Sequence, residues 1–103
     1  MKFIPVCRLE DLPSQGGKLV EIEGLEIALF RVGEAVFALD NTCTHAGGPL
    51  AEGEVEGEEV ICPWHEARFH LRTGEATTPP AFEGVQTYPV RVNNGQVELG
   101  IPE

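Results

Sequence analysis

The chain has 103 residues, enough for one domain with a modest core and too few for a second catalytic domain. Seventeen acidic residues against seven basic ones give a formal net charge of −10. That balance excludes a nucleic-acid binder, whose affinity comes from cations set against phosphates, and a protein drawn to anionic membrane surfaces.

Short alternating runs punctuated by Gly, Pro and Asn predict an all-β domain. Lys2–Arg8 reads as a first strand, 9–13 as a turn, and Gly16-Gly17 opens a second strand near 18–22. Leu25–Val32 and 35–39 form a hairpin around Gly33-Glu34. In its first arm Leu25, Ile27, Leu29 and Arg31 alternate with Glu26, Ala28, Phe30 and Val32, so both faces have apolar side chains to cover. Near the C-terminus Asn93-Asn94-Gly95 joins 85–92 to 96–99 as a second hairpin, with Asn-Gly supplying the positive φ of a tight turn. Between these outer strands, residues 41 to about 80 are rich in Gly, Pro, Cys and His, with short strands expected at Glu59–Ile61 and 68–71. No helix, repeat or low-complexity tract is expected. Met1 to Cys7 holds no apolar run long enough for a signal peptide, and no later segment is long and apolar enough to span a bilayer, so a soluble cytoplasmic protein is expected. Cys7, in the apolar run that starts at Phe3, reads as a buried structural thiol.

The chemistry concentrates in that middle segment. Cys43-Thr44-His45 and Cys62-Pro63-Trp64-His65 each offer one thiolate and one imidazole at the tip of a loop, together a four-ligand set for a metal centre. Thiolates favour iron–sulfur clusters, Cu(I) or zinc, and imidazole suits iron, copper and zinc. A structural zinc site uses the same residue types, but with C-x2–4-C and H-x3–5-H spacing, which the single residue between Cys43 and His45 does not match. Two histidines in place of two cysteines on one iron of a [2Fe–2S] cluster define a Rieske centre.

The spacing C-x-H…C-x-x-H resembles the Rieske family. The resemblance extends to Thr44, Gly47 and Leu50 in the first loop, Pro63 and Trp64 in the second, and then Ala67-Arg68-Phe69 and Arg72-Thr73-Gly74. It implies a single domain over 1–103, an antiparallel β sandwich or barrel with a small cluster-binding subdomain inserted at about 41–80. It also implies one [2Fe–2S] cluster, with Cys43 and Cys62 on the inner iron and His45 and His65 on the outer one. Thr78-Pro79-Pro80 resembles the proline-bearing loop that covers the cluster from a third side. Larger relatives add a mononuclear iron site on a 2-His-1-carboxylate triad. His70 is the only histidine left over here, so this chain can carry electrons and has no means of activating oxygen by itself.

Respiratory and photosynthetic relatives carry two further cysteines in a disulfide between the loops, at positions held here by Gly48 and Trp64. Their serine and tyrosine hydroxyls, set against sulfur, correspond to Ala67 and Phe69. Without those hydrogen bonds the reduced cluster is less stabilised and its potential lower. The chain thus resembles the low-potential ferredoxins of bacterial ring-hydroxylating oxygenase systems. The resemblance implies a monomeric shuttle, with an NAD(P)H-dependent flavoprotein reductase as donor and a terminal oxygenase as acceptor. Two other readings stay open on the residues alone: the small Rieske-like subunit of a nitrite reductase, and a zinc-stabilised interaction module without redox chemistry. Two departures stand out, Glu66 where many relatives have Gly, and His70 where many have Asp. Glu52, Glu54, Glu56, Glu58, Glu59 and Glu66 form a run without Lys or Arg, expected to place negative charge near the cluster and to meet a basic partner.

Overall fold

The structure, a computed structural model, describes residues 2–14, 16–42, 48–64, 66–77 and 84–101. Ten strands follow one another in this part of the chain: β1 (Lys2–Arg8), β2 (Gly17–Ile22), β3 (Leu25–Val32), β4 (Ala35–Asp40), β5 (Glu54–Glu56), β6 (Glu59–Ile61), β7 (Arg68–His70), β8 (Thr87–Tyr88), β9 (Val90–Asn93) and β10 (Gln96–Ile101). The helical content of the described residues is two 3₁₀ turns, Leu9–Asp11 and Leu50–Glu52.

The strands pair into three antiparallel sheets, ordered β1-β10-β9, β2-β3-β4-β8 and β5-β6-β7. β3 explains why there are three. Ile27, Ala28, Leu29 and Phe30 are all fully buried, so this strand cannot present a face to water. Ile27 and Leu29 pack with Val97, Leu99 and Ile101 of β10, and Ala38 joins them. Ala28 and Phe30 point the other way, into a second core with Leu39, Leu50, Val60, Cys62 and Phe69. The four-stranded sheet is therefore the shared layer between the terminal sheet and the small sheet that lies between β4 and β8 in the chain. Each large side chain sealed this way contributes about 1.5–3 kcal/mol.

Most expected elements form where the alternation placed them. The β3–β4 hairpin turns at Gly33, and Asn94 and Gly95 take φ of 53° and 79° at the β9–β10 turn. Two expectations need correction, and one further strand is present. The run 85–92 is not one strand: Pro89 has no N–H to give to a ladder, and the chain changes sheets there. β8 pairs with β4 before it, and β9 pairs with β10 after it. The acidic stretch 54–56 is a strand, with Val55 buried between Glu54 and Glu56. Residue 71 leaves the strand expected at 68–71, because Gly74 N–H donates to His70 O at 2.7 Å and turns the chain. Cys7 is half-buried at the edge of the terminal core, and desolvation pushes its thiol pKa up. Thr78-Pro79-Pro80 lies outside the described residues.

The β4–β8 junction carries a titratable link. Tyr88 Oη donates to Asp40 Oδ1 at 2.6 Å. Burial and that bond push the Tyr88 hydroxyl up to about 12 from an ordinary 10.0. The folded state thus favours the protonated phenol, and the link is whole below pH 10 and lost as pH rises through about 12. Unfolding free energy measured against denaturant should fall between those pH values in the wild type by more than in Tyr88→Phe. Tyr88 is the sole tyrosine, so tyrosinate absorbance reports its titration directly.

Candidate metal centre

Of the four sequence-derived ligands, Cys62 is described, and Cys43, His45 and His65 lie outside the described residues. Cys62 directly follows β6 and is fully buried in the core that holds Val60, Ala67 and Phe69. Its N–H donates to Ala67 O at 2.7 Å, which closes the neck of the loop bearing Pro63, Trp64 and His65. At the other side of this loop Glu66 takes φ 58°, the left-handed region that Gly enters at no steric cost. That geometry accounts for a glycine being suited to position 66. Here a glutamate holds it, with its side chain exposed.

The first ligand loop is necked in the same way. Thr42 and Pro49 form an isolated antiparallel bridge, and Leu50 N–H donates to Asn41 O at 2.7 Å. Chain that leaves β4 at Asp40 thus returns to the same place at Leu50. The two loops meet at Gly48. A Cβ there would stand 2.8 Å from Cys62 Sγ and 2.9 Å from Trp64 Cγ, closer than any side chain tolerates. Gly53 is constrained likewise, since its Cβ would lie 2.1 Å from Ile61 O. Close approach, and not positive φ, is what these two glycines permit. Gly48 and Trp64 are also the positions expected to lack the disulfide. Trp64 packs against Gly48 there, yet remains 50% exposed.

Charge is arranged unevenly around the site. In the acidic run, Glu56 and Glu59 bond Arg68 Nη1 at 3.0 and 3.3 Å, and Glu58 bonds Arg72 Nη2 at 3.2 Å. The hydrogen bond from Arg72 holds the Glu58 carboxyl below its ordinary range. Arg72 also stacks over the Phe37 ring of β4, its Cζ 5.1 Å from the centroid, and so ties the small sheet to the central one. Glu52, Glu54 and Glu66 instead line an open depression of about 350 Å³ beside Cys62 and Pro63. A second cavity, about 530 Å³, lies among Glu21, Glu23, Glu26 and Asp40 and reaches Thr42 at the entry of the first loop. His70 is structural: its Nδ1 accepts from Arg72 N–H at 3.1 Å.

Residues 2–89 match the model of the Rieske [2Fe-2S] domain. The chain belongs to that family. Among its relatives, the ferredoxin component of the naphthalene 1,2-dioxygenase/salicylate 5-hydroxylase systems of Ralstonia sp. is 38% identical over 94% of this chain and 93% of its own. The ferredoxin of carbazole 1,9a-dioxygenase from Nocardioides aromaticivorans superposes with TM-score 0.93 at 30% identity, over 99% of this chain and 100% of that one. A chain of the complex of reduced oxygenase and oxidized ferredoxin in carbazole 1,9a-dioxygenase superposes with TM-score 0.89 at 29% identity, over 95% and 92%. The all-β fold expected from the sequence is the fold of these Rieske ferredoxins.

Membership implies one Rieske-type [2Fe–2S] cluster, and the described part of the site, Cys62 and its surroundings, fits it. A soft sulfur donor sits fully buried in an apolar core, against Gly48 of the first loop and below the exposed Trp64 of the second. Sequence reasoning missed the two necks and the contact at Gly48. Only the Asp40-Asn41 pair at the end of a strand hinted at the first. Gly48→Ala should force the loops apart, at a cost of about 1–3 kcal/mol typical of overpacking. The expected outcome is a lower ratio of visible cluster absorbance to protein, together with a lower melting temperature.

Proposed function

We propose that this chain accepts one electron at a time from an NAD(P)H-dependent flavoprotein reductase and delivers it to a terminal ring-hydroxylating oxygenase. The cluster, when bound, supplies the one-electron redox couple. In this reading Cys43 and Cys62 hold the inner iron and His45 and His65 the outer iron. The protein works as a cytoplasmic monomer of one domain, 1–103, with its cluster-binding subdomain at about 41–80. Among the described residues, no helix is long and apolar enough to cross a membrane.

The observation that carries the reading is the family's ligand spacing on a chain whose full-length relatives are ferredoxin components, combined with a buried Cys62 beneath a solvent-facing loop tip. A carrier must release its partners quickly, so docking has to be weak and guided by charge. The carboxylates left open for that purpose are Glu52, Glu54 and Glu66, since Glu56, Glu58 and Glu59 are already engaged by arginines. The solved complex of an oxygenase with its ferredoxin supports an oxygenase as acceptor. Ferredoxin components are relatives at 36–38% identity, whereas a nitrite reductase small subunit of the same fold shares 27%, which favours a free carrier over the small-subunit alternative.

Stopped-flow reduction by the cognate reductase tests both the role and the steering. Glu54→Gln/Glu66→Gln should slow the second-order rate several-fold at low salt and flatten its dependence on ionic strength, because exposed charges are screened beyond a Debye length of ~10 Å at 0.1 M. Glu10→Gln/Glu34→Gln, with the same change in net charge, serves as the control. Both residues are exposed, Glu10 in an ion pair with Arg8 at 3.0 Å and Glu34 in the β3–β4 turn, which Arg31 bridges to Leu9. Equal slowing by the two pairs would mean that overall charge, not this surface, sets the rate.

A further inference from the structure

Asn41 is the one buried polar side chain among the described residues, 6% exposed. It follows β4 and stands two residues before Cys43. Its backbone N–H donates to Glu26 O at 3.0 Å, its carbonyl accepts from Leu50 N–H at 2.7 Å, and its side-chain Oδ1 accepts from Ala51 N–H at 2.8 Å. Leu50 and Ala51 open the 3₁₀ turn Leu50–Glu52, so these N–H groups are ones a helical turn leaves without internal acceptors. One residue therefore supplies both acceptors that hold the returning arm of the loop, while its own N–H fixes it to β3.

We propose that Asn41 is a positioning residue for the metal centre: its side-chain carbonyl clamps the two ends of the 42–49 loop and thereby sets how the returning arm at Gly48 stands against Cys62. The inference rests on the ligand assignment proposed above. Geometry connects the clamp to the sulfur. Ala51 is three residues from Gly48, and Gly48 lies so near Cys62 Sγ that a Cβ would intrude to 2.8 Å. The returning arm thus passes close beside the Cys62 sulfur, with no side chain of residue 48 between them. An aliphatic residue at 41 would fill the space and keep the backbone acceptor, but would leave Ala51 N–H without a partner in a part-buried place.

The test compares holoprotein of the wild type, Asn41→Ala and Asn41→Asp by the electron paramagnetic spectrum of the reduced state and by the rate of iron release to a chelator. Asn41→Ala should release iron about 10-fold faster, the scale typical of lost supporting contacts around a metal site, and its g-values should move. Asn41→Asp retains an Oδ acceptor for Ala51 N–H and should stay close to wild type in both. A wild type without a mixed N/S-ligated signal removes the ligand assignment and this proposal together. A wild type with that signal, matched by Asn41→Ala in rate and spectrum, removes the proposal alone. Equal acceleration in Ala and Asp also overturns it, because the acceptor is then not the cause. Should Asn41→Ala fail to fold, Asn41→Gln, which displaces the acceptor by one methylene, takes its place with the same two readouts.

Discussion

Four consecutive buried residues, Ile27 to Phe30, impose the constraint on which the rest of the molecule depends. A strand with apolar side chains on both faces needs cover on both. The terminal sheet covers one face through Val97, Leu99 and Ile101, and the small sheet covers the other through Val60 and Phe69. Cys62 belongs to this second apolar body. The proposed metal centre is therefore not attached to a finished fold, because the side chains that seal β3 belong to the same core that buries the Cys62 sulfur. Cluster binding and folding share one core, as is usual where a small domain carries a metal site.

On that base the loops are fixed by few contacts, each short. Asn41 and the Thr42–Pro49 bridge pinch the first loop, the Cys62–Ala67 hydrogen bond pinches the second, and Gly48 brings the two together. No disulfide is needed for this contact, because Trp64 occupies the space beside Gly48. Ala67 and Phe69 are fully buried in the same core as Cys62 and contribute no hydroxyl of the kind the resemblance places against sulfur in high-potential relatives. Carboxylates on the open side of the site act in the same direction. On these grounds we propose a potential at the lower end of the family's span of roughly −150 to +300 mV.

Much of this was readable in the residues, for identifiable reasons. Alternation marks the β3–β4 hairpin, Asn94-Gly95 the last turn, and the C-x-H…C-x-x-H spacing the cluster type. Pro89 hid a change of sheet, because the alternating run 85–92 continues across it. Val55 between two glutamates is an ordinary period-2 strand signal, obscured by the charge around it. The acidic run looked uniform in sequence. Only the positions of Arg68 and Arg72, which arrive from the third strand of the small sheet and the turn after it, divide it into engaged and open carboxylates. Tertiary contacts of this kind leave no local pattern, and the same holds for the clamp at Asn41.

The most direct measurement is chemical analysis of aerobically purified protein, coupled to spectroscopy of its reduced form. Iron and acid-labile sulfide should be present in equal amounts, about two of each per chain, with a mixed N/S-ligated paramagnetic signal on reduction. Stoichiometric zinc without labile sulfide, in protein expressed with ample iron, would contradict the assignment of Cys43, His45, Cys62 and His65 to a Rieske cluster.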